Sequence, residues 1–303
     1  MNKRLVSIAV VSLGVSAACA ALVVWASATD WVDGDDRSWA ATTRSCAASL
    51  WTKKIGAGQP RTIDLAWGGS DAVKINIPAR VHYQPGPKAQ ASVSGDAELV
   101  GHVRLRDGTL ELDTLDDCFP AGALAVQITG PAVTAWTLNG SAELDLSDLK
   151  QDVLRLTLHG SGKVAASGEV HELSLDAAGS GRAEFGRLVT QQTSAQIRGS
   201  GEVVFADVKQ EVLRIVMHGS GGVTASGEAR DLSLDAAGSG RADLGRLIVQ
   251  QAKARIRGSG DVDLASREDA DISISGSGVA RLHGAVARIR SHVSGSGQIK
   301  QVP

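Results

Sequence analysis

The tripeptide Gly-Ser-Gly recurs through the C-terminal half of this chain at intervals of 18 to 20 residues, and this repeat constrains the fold more than any other feature. Its first glycines are Gly160, Gly179, Gly199, Gly219, Gly238, Gly258, Gly276 and Gly295. A related tripeptide, Gly140-Ser141-Ala142, precedes the set. A regular period near 20 residues is typical of solenoid proteins, in which each repeat packs against its sequence neighbours.

Apolar residues occupy fixed positions on both sides of each tripeptide. Two residues before the first glycine lie Leu138, Leu158, Ala177, Ile197, Met217, Ala236, Ile256, Ile274 and Val293. Four residues after it lie Leu144, Val164, Ala183, Val203, Val223, Ala242, Val262, Ala280 and Ile299. The intervening positions are mostly polar, and this alternation indicates short strands with one buried face. We therefore predict an all-β fold, a single-stranded β-helix (β-solenoid) with coils of about 20 residues.

The serines of the repeat are interpreted as a structural ladder. They are Ser161, Ser180, Ser200, Ser220, Ser239, Ser259, Ser277 and Ser296. Equivalent serines in every coil cannot all be nucleophiles, whereas hydroxyls stacked at the strand spacing of ~4.8 Å can hydrogen-bond to neighbouring coils. In the last coil, Ser291 interrupts an apolar column and predicts a capping turn.

A longer duplication is superimposed on the coil repeat. Residues 150–208 recur as residues 209–267, and the segment 173–183 is repeated unchanged as 232–242. A block of three coils was copied as one unit. A solenoid tolerates such an insertion because each coil contacts only its neighbours.

Residues 1–28 have the pattern of a signal peptide or membrane anchor. Two basic residues precede an uncharged stretch, residues 5–28, which closes with the small residues Ala26-Ser27-Ala28 of a cleavage site. The stretch is also long enough to span a bilayer, so an uncleaved anchor is the alternative. A lipoprotein modified at Cys19 is a weaker one. In every case residues 29–303 leave the cytoplasm.

The exported part divides into a linker or cap, residues 29–59, and a β-solenoid domain, residues 60–303. Within the domain, a β-sandwich for residues 60–130 stays open as an alternative. No amphipathic helix is predicted after residue 29. Cys46 and Cys118 are the two cysteines of the exported part, and an oxidising compartment favours a disulfide between them over two separate buried thiols.

Three parts of the sequence together resemble a known family. They are the run from Asp71 to Tyr83, the element from Val103 to Asp113 around Asp107-Gly108, and the Gly-Ser-Gly coils themselves. Over roughly residues 60–300 the pattern is similar to DUF2807, the auto-transporter adhesin head GIN domain family. The resemblance implies a bacterial envelope protein with a β-helical body and an adhesin-like role, and it supplies no catalytic residues.

Composition and motifs narrow the function. The net charge of -2 provides no basic excess for nucleic acid, and no histidine or cysteine cluster has the spacing of a metal site. We expect a non-enzymatic envelope protein without cofactors, in the periplasm or at the cell surface, with a binding or structural role. Envelope or host glycans and other envelope proteins are the expected partners, and residues 5–28 would associate with the membrane if they are not cleaved.

Two alternatives stay open. One is a polysaccharide-acting β-helix enzyme, for which Asp176, Asp235, His159 and His218 are the best polar candidates. The duplicated acids would lie three coils, about 14 Å, apart, which exceeds the ~5–9.5 Å between paired glycosidase carboxylates. Opposite charges on adjacent coils, such as Asp235 and Arg255, favour a solvated ladder instead. The other alternative is a periplasmic sensor or stress protein anchored in the inner membrane.

Overall fold

The computed structural model describes residues 60–113 and 124–302, all within one compact unit, Leu50–Pro303. The described residues form 18 strands and one short helix, α1 (Ala97–Val100). The strands are β1 (Arg61–Leu65), β2 (Ala72–Ile75), β3 (Ala79–Pro85), β4 (Gln90–Gly95), β5 (Val103–Arg106), β6 (Thr109–Leu112), β7 (Leu124–Gly130), β8 (Ala135–Gly140), β9 (Glu143–Gly160), β10 (Lys163–Gly179), β11 (Arg182–Gly199), β12 (Glu202–Gly219), β13 (Gly222–Gly238), β14 (Arg241–Gly258), β15 (Asp261–Gly276), β16 (Val279–His283), β17 (Arg288–Gly295) and β18 (Gln298–Val302).

The burial pattern shows that each long strand bends twice. In β11 the buried side chains are Ala183, Phe185, Leu188, Thr190, Thr193, Ala195 and Ile197. Buried positions alternate within three runs, and a step of three residues separates one run from the next. The Gly-Ser-Gly turn supplies a third bend, so one coil encloses an apolar interior with three faces. We name them, by their residues in β11, face A (182–186), face B (187–191) and face C (192–199), and apply the names to the equivalent residues of other coils.

Successive coils pair in parallel, so the columns expected from the sequence stack inside the domain. Leu158 faces Ala177, Ala177 faces Ile197, and Ile197 faces Met217 across neighbouring strands. The same parallel pairing runs from β9 to β15 and continues to β16 on face A and β17 on face C. The predicted all-β solenoid is confirmed.

The region before the repeats joins the same network of strands. β3 pairs in parallel with both β7 and β9, while β4 pairs antiparallel with β1 and β7. All 18 described strands form one hydrogen-bonded sheet system. Residues 60–113 and 124–130 therefore extend the solenoid, and a separate β-sandwich is not formed.

One short helix interrupts the strands, and one local expectation, the turn at Ser291, was wrong. Residues Ala97–Val100 form helix α1, which begins because the Asp96 side chain accepts a hydrogen bond from the Glu98 N–H at 2.9 Å. The pattern missed it because one helical turn is too short to show amphipathic periodicity. Ser291 lies within strand β17 and not in a capping turn. The inward-facing residues of β17 are consequently uncovered, with Ile289 42% and Val293 41% exposed.

Close stacking of the coils explains the glycines at the corner. Gly179 has a φ of 122°, and a Cβ at this position would lie 2.3 Å from the carbonyl oxygen of Gly160 in the preceding coil. That oxygen accepts a hydrogen bond from the Ser180 N–H at 2.9 Å. The corner hydrogen bonds thus come from backbone N–H groups. In the described part of the chain the hydroxyls of the serine ladder have no hydrogen-bond partner, and the structural role of that ladder stays a prediction.

Replacing a corner glycine should destabilise the domain. We expect Gly179→Ala to lower the free energy of unfolding by at least ~2 kcal/mol, because the backbone conformation alone costs roughly 1–3 kcal/mol in other residues and the Cβ also meets a carbonyl oxygen. Gly186→Ala is the matched control, since the nearest atom to its added Cβ is Ala206 Cβ at 3.6 Å. Urea unfolding followed by circular dichroism measures both, and equal stability of the two variants would contradict the corner's role.

Candidate binding surfaces of the solenoid

Face A carries a ladder of ion pairs between neighbouring coils. Arg182 pairs with Glu202 in the next coil, and Lys163 Nζ lies 3.4 Å from Glu184 Oε1. Further pairs on this face are Arg80–Glu143, Arg241–Asp261, Arg281–Asp261 and Arg281–Asp263. Their side chains are solvent-exposed or partly so, and each such pair contributes at most about 1 kcal/mol. Opposite charges on adjacent coils, as expected from the sequence, thus pair on this face, and these pairs involve most of its charged groups.

The carboxylates considered for catalysis lie on face C and are bound by arginines. Arg198 Nη2 donates to both carboxylate oxygens of Asp176, at 2.6 and 2.8 Å. Arg257 Nη2 donates to Asp235 Oδ1 at 2.6 Å. Asp235 faces Arg255 in the strand register, as expected, but its ion pair is with Arg257 instead.

The histidines considered with them do not join these acids. His159 and His218 are exposed at the end of face C, where they face Ala178 and Ala237 of the next coil. No hydrogen bond links either histidine to Asp176 or Asp235, both of which the structure describes. The geometry gives the four residues no shared site.

A shallow groove of about 310 Å³ runs along face B, where the sequence predicted no site. It is lined by Lys150, Gln151, Asp152, Glu169, Val170, His171, Val189, Thr190 and Gln191. Its two walls are outward-facing side chains that flank the inward-facing column of Gln151, Val170 and Thr190. The first wall is Lys150, Glu169 and Val189, which are neighbours in the strand register.

The charged groups of this groove are not used by the protein itself. Lys150, Asp152 and Glu169 form no ion pair with any residue that the structure describes, in contrast to the ladder on face A. Val189 lies beside them with 57% of its surface exposed. The groove therefore offers free hydrogen-bonding groups next to an apolar side chain.

Polar side chains also lie beneath the groove. Thr190 Oγ1 lies 3.0 Å from Thr193 Oγ1 and donates to Gln210 Oε1 at 3.1 Å. Gln210 is only 8% exposed, and its Nε2 has no partner; Gln151 Oε1 is likewise buried without one. The pairing of β11 with β12 stops at Glu184 and resumes at Gln192, so it is interrupted across face B at this point.

Several predicted features lie outside the described residues. Residues 1–59 and Cys118 are outside the described ranges, so the signal segment and the Cys46–Cys118 disulfide stay predictions.

Within residues 60–113 and 124–302, no group of three or more histidine, cysteine or acidic residues is placed to hold a metal ion. None of the helices in those ranges has the length and apolar character to cross a membrane.

Comparison with protein families identifies the fold. Residues 70–204 and 186–286 match the family described as "Putative auto-transporter adhesin, head GIN domain". The chain belongs to this family. None of the curated proteins compared with the chain matches it.

Three solved structures with the same fold come from two Parabacteroides species. One described as a "putative lipid binding protein" from Parabacteroides distasonis is 19% identical, with a TM-score of 0.59 over 82% of this chain and 98% of that one. Two described as a "putative adhesin", from Parabacteroides distasonis and Parabacteroides merdae, are 16% and 17% identical, with TM-scores of 0.56 and 0.53 over the same shares. At these identities the similarity is one of fold.

A separate cluster beside strands β5 and β6, made of His102, Arg104 and Asp113, sets the pKa of Asp113. His102 Nδ1 lies 2.9 Å from Asp113 Oδ1, and Arg104 Nη2 lies 2.7 Å from Oδ2. The hydrogen bond from His102, followed by the charge of Arg104, holds the pKa of Asp113 below its ordinary value even though desolvation opposes the shift.

Removing His102 should therefore raise the pKa of Asp113. We expect His102→Ala to raise it more than Arg104→Ala does, because the hydrogen bond is the larger cause. A carboxyl pKa that is lowered by folding stabilises the fold above the ordinary pKa, and this contribution is lost as the pH falls through the lowered value. NMR titration of the Asp113 carboxyl measures both variants, and an unshifted titration in His102→Ala would rule out this assignment.

Proposed function

We propose that this chain is a non-catalytic binding module of a bacterial envelope protein, exported to the periplasm or cell surface and adhesin-like in role. The observation that carries the proposal is the regular display of side chains on a stack of parallel coils. Equivalent positions recur every ~4.8 Å along the stack, on a backbone held by coil-to-coil hydrogen bonds. Such a surface suits an extended partner better than a small substrate.

The family and the fold relatives support this proposal. The family description and two of the similar structures name an adhesin, and the third names a lipid-binding protein. No one of these descriptions names an enzyme. The acids that a polysaccharide-acting enzyme would need, Asp176 and Asp235, are each held by an arginine.

Export is the second part of the proposal. The basic residues and apolar stretch of residues 1–28 would direct the chain across the inner membrane.

The near-neutral net charge of -2 also disfavours a nucleic-acid partner.

The proposal is tested by fractionation and by binding to isolated envelope. We expect the full chain, expressed in its native host, in the envelope or periplasmic fraction, and the purified chain to cosediment with isolated envelopes. Protease treatment of intact cells then separates surface exposure from a periplasmic location. Retention in the cytoplasm, or no cosedimentation above that of an unrelated protein of similar charge, would refute the proposal.

Export also predicts the state of the cysteines. In protein recovered from the envelope, we expect Cys46 and Cys118 to resist alkylation until a reductant is added, because an oxidising compartment favours their disulfide. Mass spectrometry of differentially alkylated peptides measures this. Full alkylation of both thiols before reduction would contradict the predicted bridge.

A further inference from the structure

The outward residues that line the face B groove are duplicated along the stack. The copied block of three coils places a second set of the same outward positions farther along face B. The first set is Lys150, Asp152, Glu169, His171, Val189 and Gln191. The second set is Lys209, Glu211, Glu228, Arg230, Ile248 and Gln250. Charge sign or side-chain type is kept at five of the six positions; at the sixth, the imidazole of His171 is replaced by Arg230, which pairs with Asp231.

The structure keeps the two sets in equivalent places. Lys209 faces Glu228, and Glu228 faces Ile248, as Lys150, Glu169 and Val189 face one another in the first set. Val189 and Ile248 are both exposed, at 57% and 37%. The two sets lie three coils, about 14 Å, apart along the stack.

The boundary between the two sets, where β11 meets β12, is unusual for the interior of a solenoid. The interrupted β11–β12 pairing and the unpartnered Nε2 of Gln210 both lie here, on the floor of the groove. Gln151 occupies the position equivalent to Gln210 and also has an unpartnered polar atom. Buried polar atoms normally have partners, so both sets have unused hydrogen-bonding capacity beneath them.

We propose that the face B groove holds two equivalent subsites for one uncharged, hydroxyl-rich polymer, a neutral glycan. This inference rests on the binding function proposed above and assigns its ligand class. Carboxylates accept hydrogen bonds, ammonium groups donate them and glutamine amides do both, which matches hydroxyl groups. Val189 and Ile248 supply the apolar contacts that C–H faces of a sugar ring require.

Charge and backbone pairing disfavour other polymers. Acidic and basic residues alternate along the groove, so there is no cationic excess to attract an anionic polymer or lipid surface. β10 is paired on both sides across face B, with β9 and β11, and β13 is paired with β12 and β14. A peptide strand therefore finds no free edge at β10 or β13, the central strands of the two subsites; unpaired backbone is confined to the stretch between β11 and β12.

Two subsites on one polymer predict a bivalent interaction. Each subsite is shallow and has no aromatic platform, so a single one binds weakly. Joint occupation by one chain can strengthen binding by on the order of 100-fold without any new contact. Loss of either subsite should remove that gain.

The experiment compares pairs of outward-facing residues in the full chain. Val189→Ala with Gln191→Ala removes the first subsite, Ile248→Ala with Gln250→Ala the second, and the four changes together remove both. Gln196→Ala with Val216→Ala is the matched control, because this pair has the same residue types and lies in register on face C. The probes are soluble β-glucan, dextran and mannan, with polygalacturonate as the anionic and gelatin as the peptide comparator.

We expect the unaltered chain to bind a neutral glycan, each single-subsite variant to lose on the order of 100-fold in affinity, and the combined variant to lose binding. The face C control should bind as the unaltered chain does. The proposal is overturned if none of the three neutral glycans binds, if polygalacturonate or gelatin binds more tightly, or if only one subsite matters. It is equally overturned if the control loses as much.

Cosedimentation with isolated envelopes separates this inference from the proposed function. If the combined variant cosediments as well as the unaltered chain, the envelope-binding function stands and the face B assignment fails. If the unaltered chain does not cosediment, the proposed function itself fails. Loss of cosedimentation in the combined variant alone supports both.

Discussion

The contact on which this structure depends is the approach of each corner glycine to the carbonyl oxygen of the glycine one coil earlier. It lets the backbone turn sharply while the Ser N–H, as at Ser180, keeps a 2.9 Å hydrogen bond to the coil below. The position of every residue in the coil then follows from this fixed point. Leucines and valines stack into the interior, and outward side chains fall into columns that continue from coil to coil.

The regular part of the fold could be predicted from the sequence because one glycine anchor recurs with apolar residues at fixed distances from it. Columns such as Leu158–Ala177–Ile197 follow directly from the fixed distance of each residue to the glycine of its coil. The strand pairing of residues 60–130 has no period, so its connection through β3 to both β7 and β9 could not be predicted. Ser291 was misread for a similar reason, since a polar residue in a terminal strand has the same local pattern as one in a turn.

The candidate surface was not predicted, because the acids and histidines that suggested catalysis lie on face C. There, Asp176 and Asp235 contribute to cohesion between coils through Arg198 and Arg257. The groove of face B consists of common surface residues, and nothing about Lys150 or Glu169 alone is unusual. Only the contrast between faces distinguishes them: on face A the charges pair with each other, whereas around this groove they do not. The copied positions were visible in the sequence, but a duplication of structural coils explains them as well as a duplicated binding site does.

The copied block also bears on how such a protein changes over evolutionary time. A three-coil insertion adds its own interior and its own corners, so it needs no compensating substitutions elsewhere. Each copying event lengthens the displayed surface by one fixed increment and adds another set of the same outward residues. Gene duplication within the coding sequence can thus adjust valency in whole steps, while later point substitutions, such as Val189 against Ile248, diversify the individual sets.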